Sequence, residues 1–212
     1  MNFYEQENNK TVLKTREIIR ELPEFCNEFF LDLNQNTLPK TRMGYAYDLR
    51  VFFNFLVTEN KEFLGRDIKS LTLDDLQKIK VVDINQFMDY LAYYVSEEDS
   101  QLYSNGENGK ARKLAAVRKL FKYFYRTEKI SSNPAELTIT PKRHEKEIVR
   151  LEPNEVAEML DVIENGSKMT SKQKEYYEKT KIRDLAIVTL LLGTGLRVSE
   201  CVGLDIDDVD FD

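Results

Sequence analysis

The sequence predicts a mainly α protein built as two helical units. Glycine is scarce, 8 in 212 residues, and alternating β-branched segments are rare. Apolar residues recur instead at spacings of three and four, the period of a helix buried along one face. A charged, proline-bearing stretch, TITPKRHEKEIVR, is poor in core residues and reads as a linker. The division is therefore 1–137 for the first unit, 138–150 for the linker and 151–212 for the second.

Each element has a local cause. TVLKTREIIRELPEFCNEFFLDL reads as helix, broken or restarted at Pro23, which cannot continue the hydrogen-bond ladder. LPKTRMGYAYDLRVFFNFLVTEN is a strong helix whose stripe is Tyr45, Leu49, Phe52, Phe53 and Leu56. LTLDDLQKI is a short helix with Thr72 as N-cap three residues before Asp75. VVDINQFMDYLAYYVSEE is another, presenting Ile84, Phe87, Met88 and Leu91. EEDSQLYSNGENG is polar and glycine-containing, a loop. KARKLAAVRKLFKYFYRTEK carries the stripe Leu114, Val117, Phe121 and Phe124, flanked by Leu120 and Tyr125. ISSNPAEL ends it with turn chemistry. The first unit is thus a bundle of about four helices.

Beyond the linker, LEPNEVAEMLDVIENG is a helix opened by Pro153 and stopped near Gly166. SKMTSKQKEYYEKTK is polar, an insert or a helix extension. IRDLAIVTLLLGTG is apolar around most of its circumference, so burial on most sides is expected, with a stop at Gly193 and Gly195. LRVSECVGL is a further short helix, and DIDDVDFD, with Ile206, Val209 and Phe211, opens a strand.

Composition narrows the classes of function. No stretch of 18 apolar residues suits a membrane span, and the N-terminus lacks a signal peptide's apolar region. Cys26 and Cys201 lie far apart, and His144, the one histidine, sits in the linker as a solvated residue. No metal site can be assembled, no cofactor is expected, and a reduced cytoplasmic chain is the simplest reading. The net charge of −6 hides a distribution: 101–150 carries net +7, between 1–100 at −6 and 151–212 at −7. Clustered positive charge matters more than the total for attracting a polyanion. At 100° per residue, Arg112, Lys119, Lys122 and Arg126 share a face distinct from the apolar stripe. Ala115 and Ala116 lie on or beside that face, where small side chains let a backbone approach a large ligand. Lys40, Thr41 and Arg42 open the strong helix, and a helix start with a hydroxyl and an arginine suits a phosphate.

GTGLRVSE poses the sharpest question. A glycine turn delivers Arg197 beside an apolar helix, with Glu200 three residues on. An arginine next to a packed core requires an anionic partner. Two readings compete: an intrahelical Arg–Glu pair closing a packing interface, or an arginine held by Glu200 and aimed at an external phosphate.

IRDLAIVTLLLGTGLRVSECVGLDIDDVDF resembles the first catalytic motif of the tyrosine recombinases, the phage-integrase and Xer family. The match takes in Arg183, Asp184, Leu185, Ala186, the Gly193–Thr194–Gly195 turn, Arg197, Ser199, Glu200, Leu204, Asp205 and Asp208. TRMGYAYDLRVFFNFL, RKLAAVRKLFKYFYRTEKISSNPAELTITPK and LEPNEVAEML resemble, in order, two helices of the family's core-binding domain and the first of its catalytic domain. The charged insert at 165–181 is similar to Xer-type recombinases of Firmicutes that act without a second paralogue. The resemblance implies a SAM-like helical bundle that binds DNA, followed by the mostly α start of the catalytic domain. It implies a clamp around duplex DNA, a tetramer on paired recombination sites and a 3′-phosphotyrosyl intermediate. It gives Arg197 the role of a transition-state donor to the scissile phosphate and Glu200 that of its brace.

The family's lysine, H-x-x-R motif and nucleophilic tyrosine lie beyond this motif. The sequence is therefore expected to be a fragment that binds DNA weakly and cuts nothing alone. A non-enzymatic, integrase-like DNA-binding regulator is the alternative, and a helical module binding an acidic protein is a third.

Overall fold

The computed structural model describes residues 3–95, 100–142, 147, 149–166 and 169–210. His144 and Phe211 lie outside them, as does part of the 97–109 loop. The chain divides into two compact units, Met1–Glu145 and Lys146–Asp212.

Unit one is helical. α1 (Phe3–Ile19) and α2 (Cys26–Asn34) flank Pro23 as its ring chemistry requires. α3 (Pro39–Thr58) starts with proline in the first helical position, where no donor is lost. α4 (Leu73–Lys78) and α5 (Val81–Tyr90) follow a single 3₁₀ turn at Ile68–Ser70. α6 (Glu107–Arg126) and the one-turn α7 (Pro134–Leu137) close the unit. Where the pattern predicts about four helices, the described residues form seven, because the proline splits the first and short helices add to the count.

The apolar stripes define the core. Leu49, Phe52, Phe53 and Leu56 of α3 are buried, with Tyr45 packed at the edge. So are Ile84, Phe87 and Leu91, and Leu114, Val117, Phe121 and Phe124. Leu120 is buried with them rather than flanking, whereas Tyr125 is exposed. Edge-to-face rings knit the helices: Phe52 to Phe87 at 5.1 Å and Phe25 to Phe124 at 5.5 Å. Cys26 lies wholly inside, and burial pushes its thiol up.

Two expectations fail around residue 100. The fifth helix stops at Tyr90, not near Glu97, and the polar loop contains strand pairing. β1 (Tyr94–Val95) and β2 (Leu102–Tyr103) are antiparallel, Tyr94 opposite Tyr103. Tyr90, Tyr94 and Tyr103 stack in a row, which holds the short hairpin onto α5.

The start of α4 shows what a cap does. Asp75 Oδ2 accepts from Thr72 N at 3.0 Å and Thr72 Oγ1 at 3.0 Å, while Asp75 N donates to Thr72 Oγ1 at 3.4 Å. Arg66 Nη2 adds a bond at 2.9 Å, the main cause that holds the Asp75 carboxyl well below the usual range. A depressed carboxylate stabilises above its unfolded pKa of about 3.9, and that stability is lost as pH falls toward the folded value. Asp75→Asn is expected to cost about 1–2 kcal/mol at pH 7 and to flatten the acid limb of stability against pH. Urea melts between pH 7 and pH 3 check this.

Unit two comprises α8 (Pro153–Asn165), α9 (Ser171–Thr194) and α10 (Val198–Val202), then a 3₁₀ turn at Ile206–Asp208. α8 ends on Gly166 at φ 64°, where a Cβ would stand 2.7 Å from Tyr177 Cε1. Conformation and close approach both require glycine there. Thr170 caps α9, with Gln173 Oε1 accepting from Thr170 N at 2.8 Å. The polar 171–181 stretch is thus the first half of one helix, an extension rather than an insert.

Two corrections follow. The apolar half of α9 is not buried on most sides: Ile182, Ile187 and Leu192 are exposed, and none of α8 to α10 has a buried residue. Among the described residues of the unit, α8 and α10 are the helices that pack most on α9, and two such neighbours cover a stripe, not a circumference. DIDDVDFD opens no strand over its described residues, because Asp208 Oδ2 accepts from Asp205 N at 2.9 Å and closes a 3₁₀ turn instead.

Candidate phosphate clamp and nucleic-acid interface

Arg197 is placed by a turn. α9 ends at Thr194, Gly195 takes φ 69°, and its N–H returns to Leu191 O at 3.0 Å. The helix runs through Gly193 and stops at Gly195. Thr194 Oγ1 donates to Leu190 O at 2.6 Å and accepts from Leu196 N at 3.3 Å, so the hydroxyl ties both sides of the turn. Arg197 then precedes α10.

Glu200 grips Arg197 twice. Its Oε2 accepts from the Arg197 backbone N at 2.8 Å, and its Oε1 from Nη1 at 3.1 Å. Those two bonds, backbone first, hold the Glu200 carboxyl below its ordinary value. The expected packed surroundings are not there: the Arg197 side chain is 82 % exposed. The pair therefore orients the guanidinium rather than neutralising a buried charge. Among the described residues Nε and Nη2 make no hydrogen bond, so that edge keeps donors for an oxyanion. Cys201, half-buried, donates its N–H to Arg197 O at 2.9 Å in the same first turn.

In unit one, Arg112, Ala115, Lys119, Lys122 and Arg126 form one exposed stripe along α6. Ala116 is the exception, wholly buried in the core. The cations differ. Arg126 Nη2 bonds Asp32 Oδ1 at 3.1 Å and the guanidinium lies over the Tyr123 ring. Arg112 Nη2 bonds Asp48 Oδ1 at 2.8 Å. At the start of α3, Lys40 and Thr41 are exposed. Arg42 is half-buried and turns back to donate to Thr37 O.

Three functional-looking residues escape a reading by stripes. Asp48 is buried at 1 % exposure, between Arg112 and Lys113, whose Nζ lies 3.8 Å from Oδ1. Burial raises the Asp48 carboxyl while both cations pull it down, and burial lowers the Lys113 ammonium. The signal was present: Asp48 stands at i+3 from Tyr45 and i−4 from Phe52, on the apolar stripe itself. Lys113 stands four before Val117 on the facing one. Opposite charges on two facing stripes predict a buried pair. Arg118 leaves no such signal. Its Nε donates to Ala135 O at 3.0 Å, its Nη1 to Thr140 Oγ1 at 2.7 Å and its Nη2 to Thr138 O, fastening the exit from α7 onto α6.

Comparison with known proteins identifies the family. Residues 149–212 match the phage integrase family. Tyrosine recombinase XerC of Caldanaerobacter subterraneus subsp. tengcongensis is 34 % identical over 198 residues, 90 % of this chain and 50 % of that protein. XerC of Chlorobaculum parvum is 32 % identical over 186 residues, 85 % of this chain and 51 % of its own. Tyrosine recombinase XerS of Streptococcus thermophilus is 28 % identical over 223 residues, 92 % of this chain and 61 % of its own. The chain spans about half the length of the XerC relatives it matches. No solved structure matches it. A glycine turn delivering a braced arginine falls inside the matched family segment, and the helical unit before it is covered by the same relatives: the chain is Xer-like, of the phage-integrase family of tyrosine recombinases.

Proposed function

We propose that the chain serves a site-specific tyrosine recombinase that binds duplex DNA and cuts and rejoins strands through a 3′-phosphotyrosyl link. The carrying observation is Arg197, exposed at a glycine turn and gripped on one edge by Glu200. Attack on a phosphodiester gathers negative charge on the non-bridging oxygens. A permanently charged fork whose orientation is fixed in advance stabilises that charge without reorganising. Glu200 holds the fork and makes or breaks no bond.

The nucleophile is assigned to none of the tyrosines in this sequence. All eleven precede Arg197, whereas the family's nucleophile lies beyond that motif. In this reading the chain is a DNA-binding and arginine-bearing part, acting in the cytoplasm, and the full-length protein works as a homo-tetramer on paired sites. No helix among the described residues is long and apolar enough to cross a membrane.

Residues 1–137 supply the DNA contacts in this scheme, through Lys40, Thr41, Arg42, Arg112, Lys119, Lys122 and Arg126. Arg112 is a poor first choice for mutation, since removing it leaves Asp48 buried with one fewer cation. Lys119 and Lys122 make no side-chain hydrogen bond or ion pair among the described residues, so Lys119→Glu with Lys122→Glu breaks none. The double variant is expected to weaken duplex binding and to flatten the slope of log affinity against log salt by about 2, near 0.9 per lost phosphate contact. An unchanged affinity and slope in a salt titration would remove the α6 stripe from the interface.

A further inference from the structure

Unit one holds a cleft of about 850 Å³ between α3, the β1–β2 hairpin and the start of α6. Five of the chain's eleven tyrosines line it, among them Tyr93, Tyr94 and Tyr103. Tyr94 and Tyr103 are near-parallel, centroids 5.7 Å apart and planes 22° apart. Tyr103, at the end of the row, is 40 % exposed, and Tyr93 is 66 % exposed. Partly exposed rings such as Tyr103 and Tyr93 can act as stacking platforms for a planar ligand.

Charge selects what stacks there. Arg50, Arg112 and Lys113 line the cleft against Asp48 and Glu59, a surplus of one positive charge. An aromatic site for a cationic ligand, such as a quaternary ammonium group, would carry the opposite balance. Arg112 has 61 % of its side chain exposed although Asp48 anchors one nitrogen. Partly exposed rings and the exposed guanidinium of Arg112 in one cleft suit a planar base that carries a phosphate.

We propose that this cleft binds an unpaired nucleotide of a DNA strand, the base stacked on Tyr103 and Tyr93 and the phosphate held by the exposed guanidinium of Arg112. The inference rests on the DNA-binding function proposed above and adds a strand-opened substrate to it. Stacking tolerates any base, so the site discriminates paired from unpaired DNA and not one sequence from another.

The test uses the whole 212-residue chain, a labelled oligothymidylate of ~12 nucleotides and a random duplex, followed by fluorescence anisotropy at low salt. The oligothymidylate is expected to bind and to quench tyrosine fluorescence. Tyr93→Ala and Tyr103→Ala should each weaken it by about tenfold, with Phe at either position restoring it and duplex affinity unchanged. Tyr93 is largely exposed, so its variant keeps the test valid if Tyr103→Ala unfolds, which far-UV circular dichroism reports. Duplex binding without oligothymidylate binding, or oligothymidylate binding indifferent to both tyrosines, overturns the cleft and leaves the duplex function standing. Binding of neither overturns both.

Discussion

Phe52→Ala is expected to destabilise the first unit by about 3–5 kcal/mol, the range for emptying a wholly buried phenylalanine site. The ring joins three helices, with Phe87 of α5 at 5.1 Å and Phe121 of α6 at 6.4 Å from its place on α3. Neighbours anchored on separate helices cannot collapse together into the void, so the cavity cost adds to the lost transfer energy. Against a typical total of about 5–15 kcal/mol, the variant is left marginal. Urea melts followed at the helical band should show a lower midpoint with the slope unchanged. Leu31→Ala on the exposed side of α2 is the control and should stay within about 0.5 kcal/mol. A Phe52 variant no worse than that control would mean the core is not organised around these rings.

Arg197→Ala carries the largest expected effect on chemistry. In a protein that also holds the nucleophilic tyrosine, it should lower formation of the covalent complex on a nicked suicide substrate by about 10²–10³. Duplex affinity should hold, because the donor acts on charge that appears only in the transition state. Glu200→Gln should cost less, since an amide oxygen can still accept from the Arg197 backbone N. The Glu200 carboxyl sits below its ordinary value, so the ionised brace persists above about pH 4.3 and fails only as pH falls through the depressed folded value. Near-normal covalent trapping by Arg197→Ala would refute the transition-state role.

What the sequence makes legible follows from how regular the physics is. The α3 and α6 stripes are periodic over several turns, and they predicted the burial of Phe52, Phe53, Leu114, Val117, Phe121 and Phe124. Caps are local chemistry, so Thr72 with Asp75 and the stop at Gly166 were readable. The hairpin was not, because two-residue strands have no alternation to detect and tyrosine stacking, not strand pattern, holds it. At the site, the Arg197–Glu200 spacing is local and could be read, although Arg197 stands as the N-cap before α10 rather than inside it, whereas the exposure of Arg197 depends on which elements surround it. Asp48 with Lys113 shows the cost of reading only apolar positions: a charge on a stripe is information about its partner on the facing stripe. Arg118 reaches carbonyls 17 and 20 residues away, a distance at which no local pattern operates.

The two cysteines separate by reactivity. A thiol must ionise and be reached before it attacks an electrophile. Cys26 fails on both counts, enclosed in the core with its thiol pushed up. Cys201 is half-buried and lies in the first turn after Arg197. A maleimide dye added to the folded protein should therefore label one position, without mutagenesis, beside the braced arginine. The native sequence thus supplies a spectroscopic reporter with which the proposed phosphate contact at Arg197 can be followed, and its signal is lost to double labelling only when the first unit unfolds.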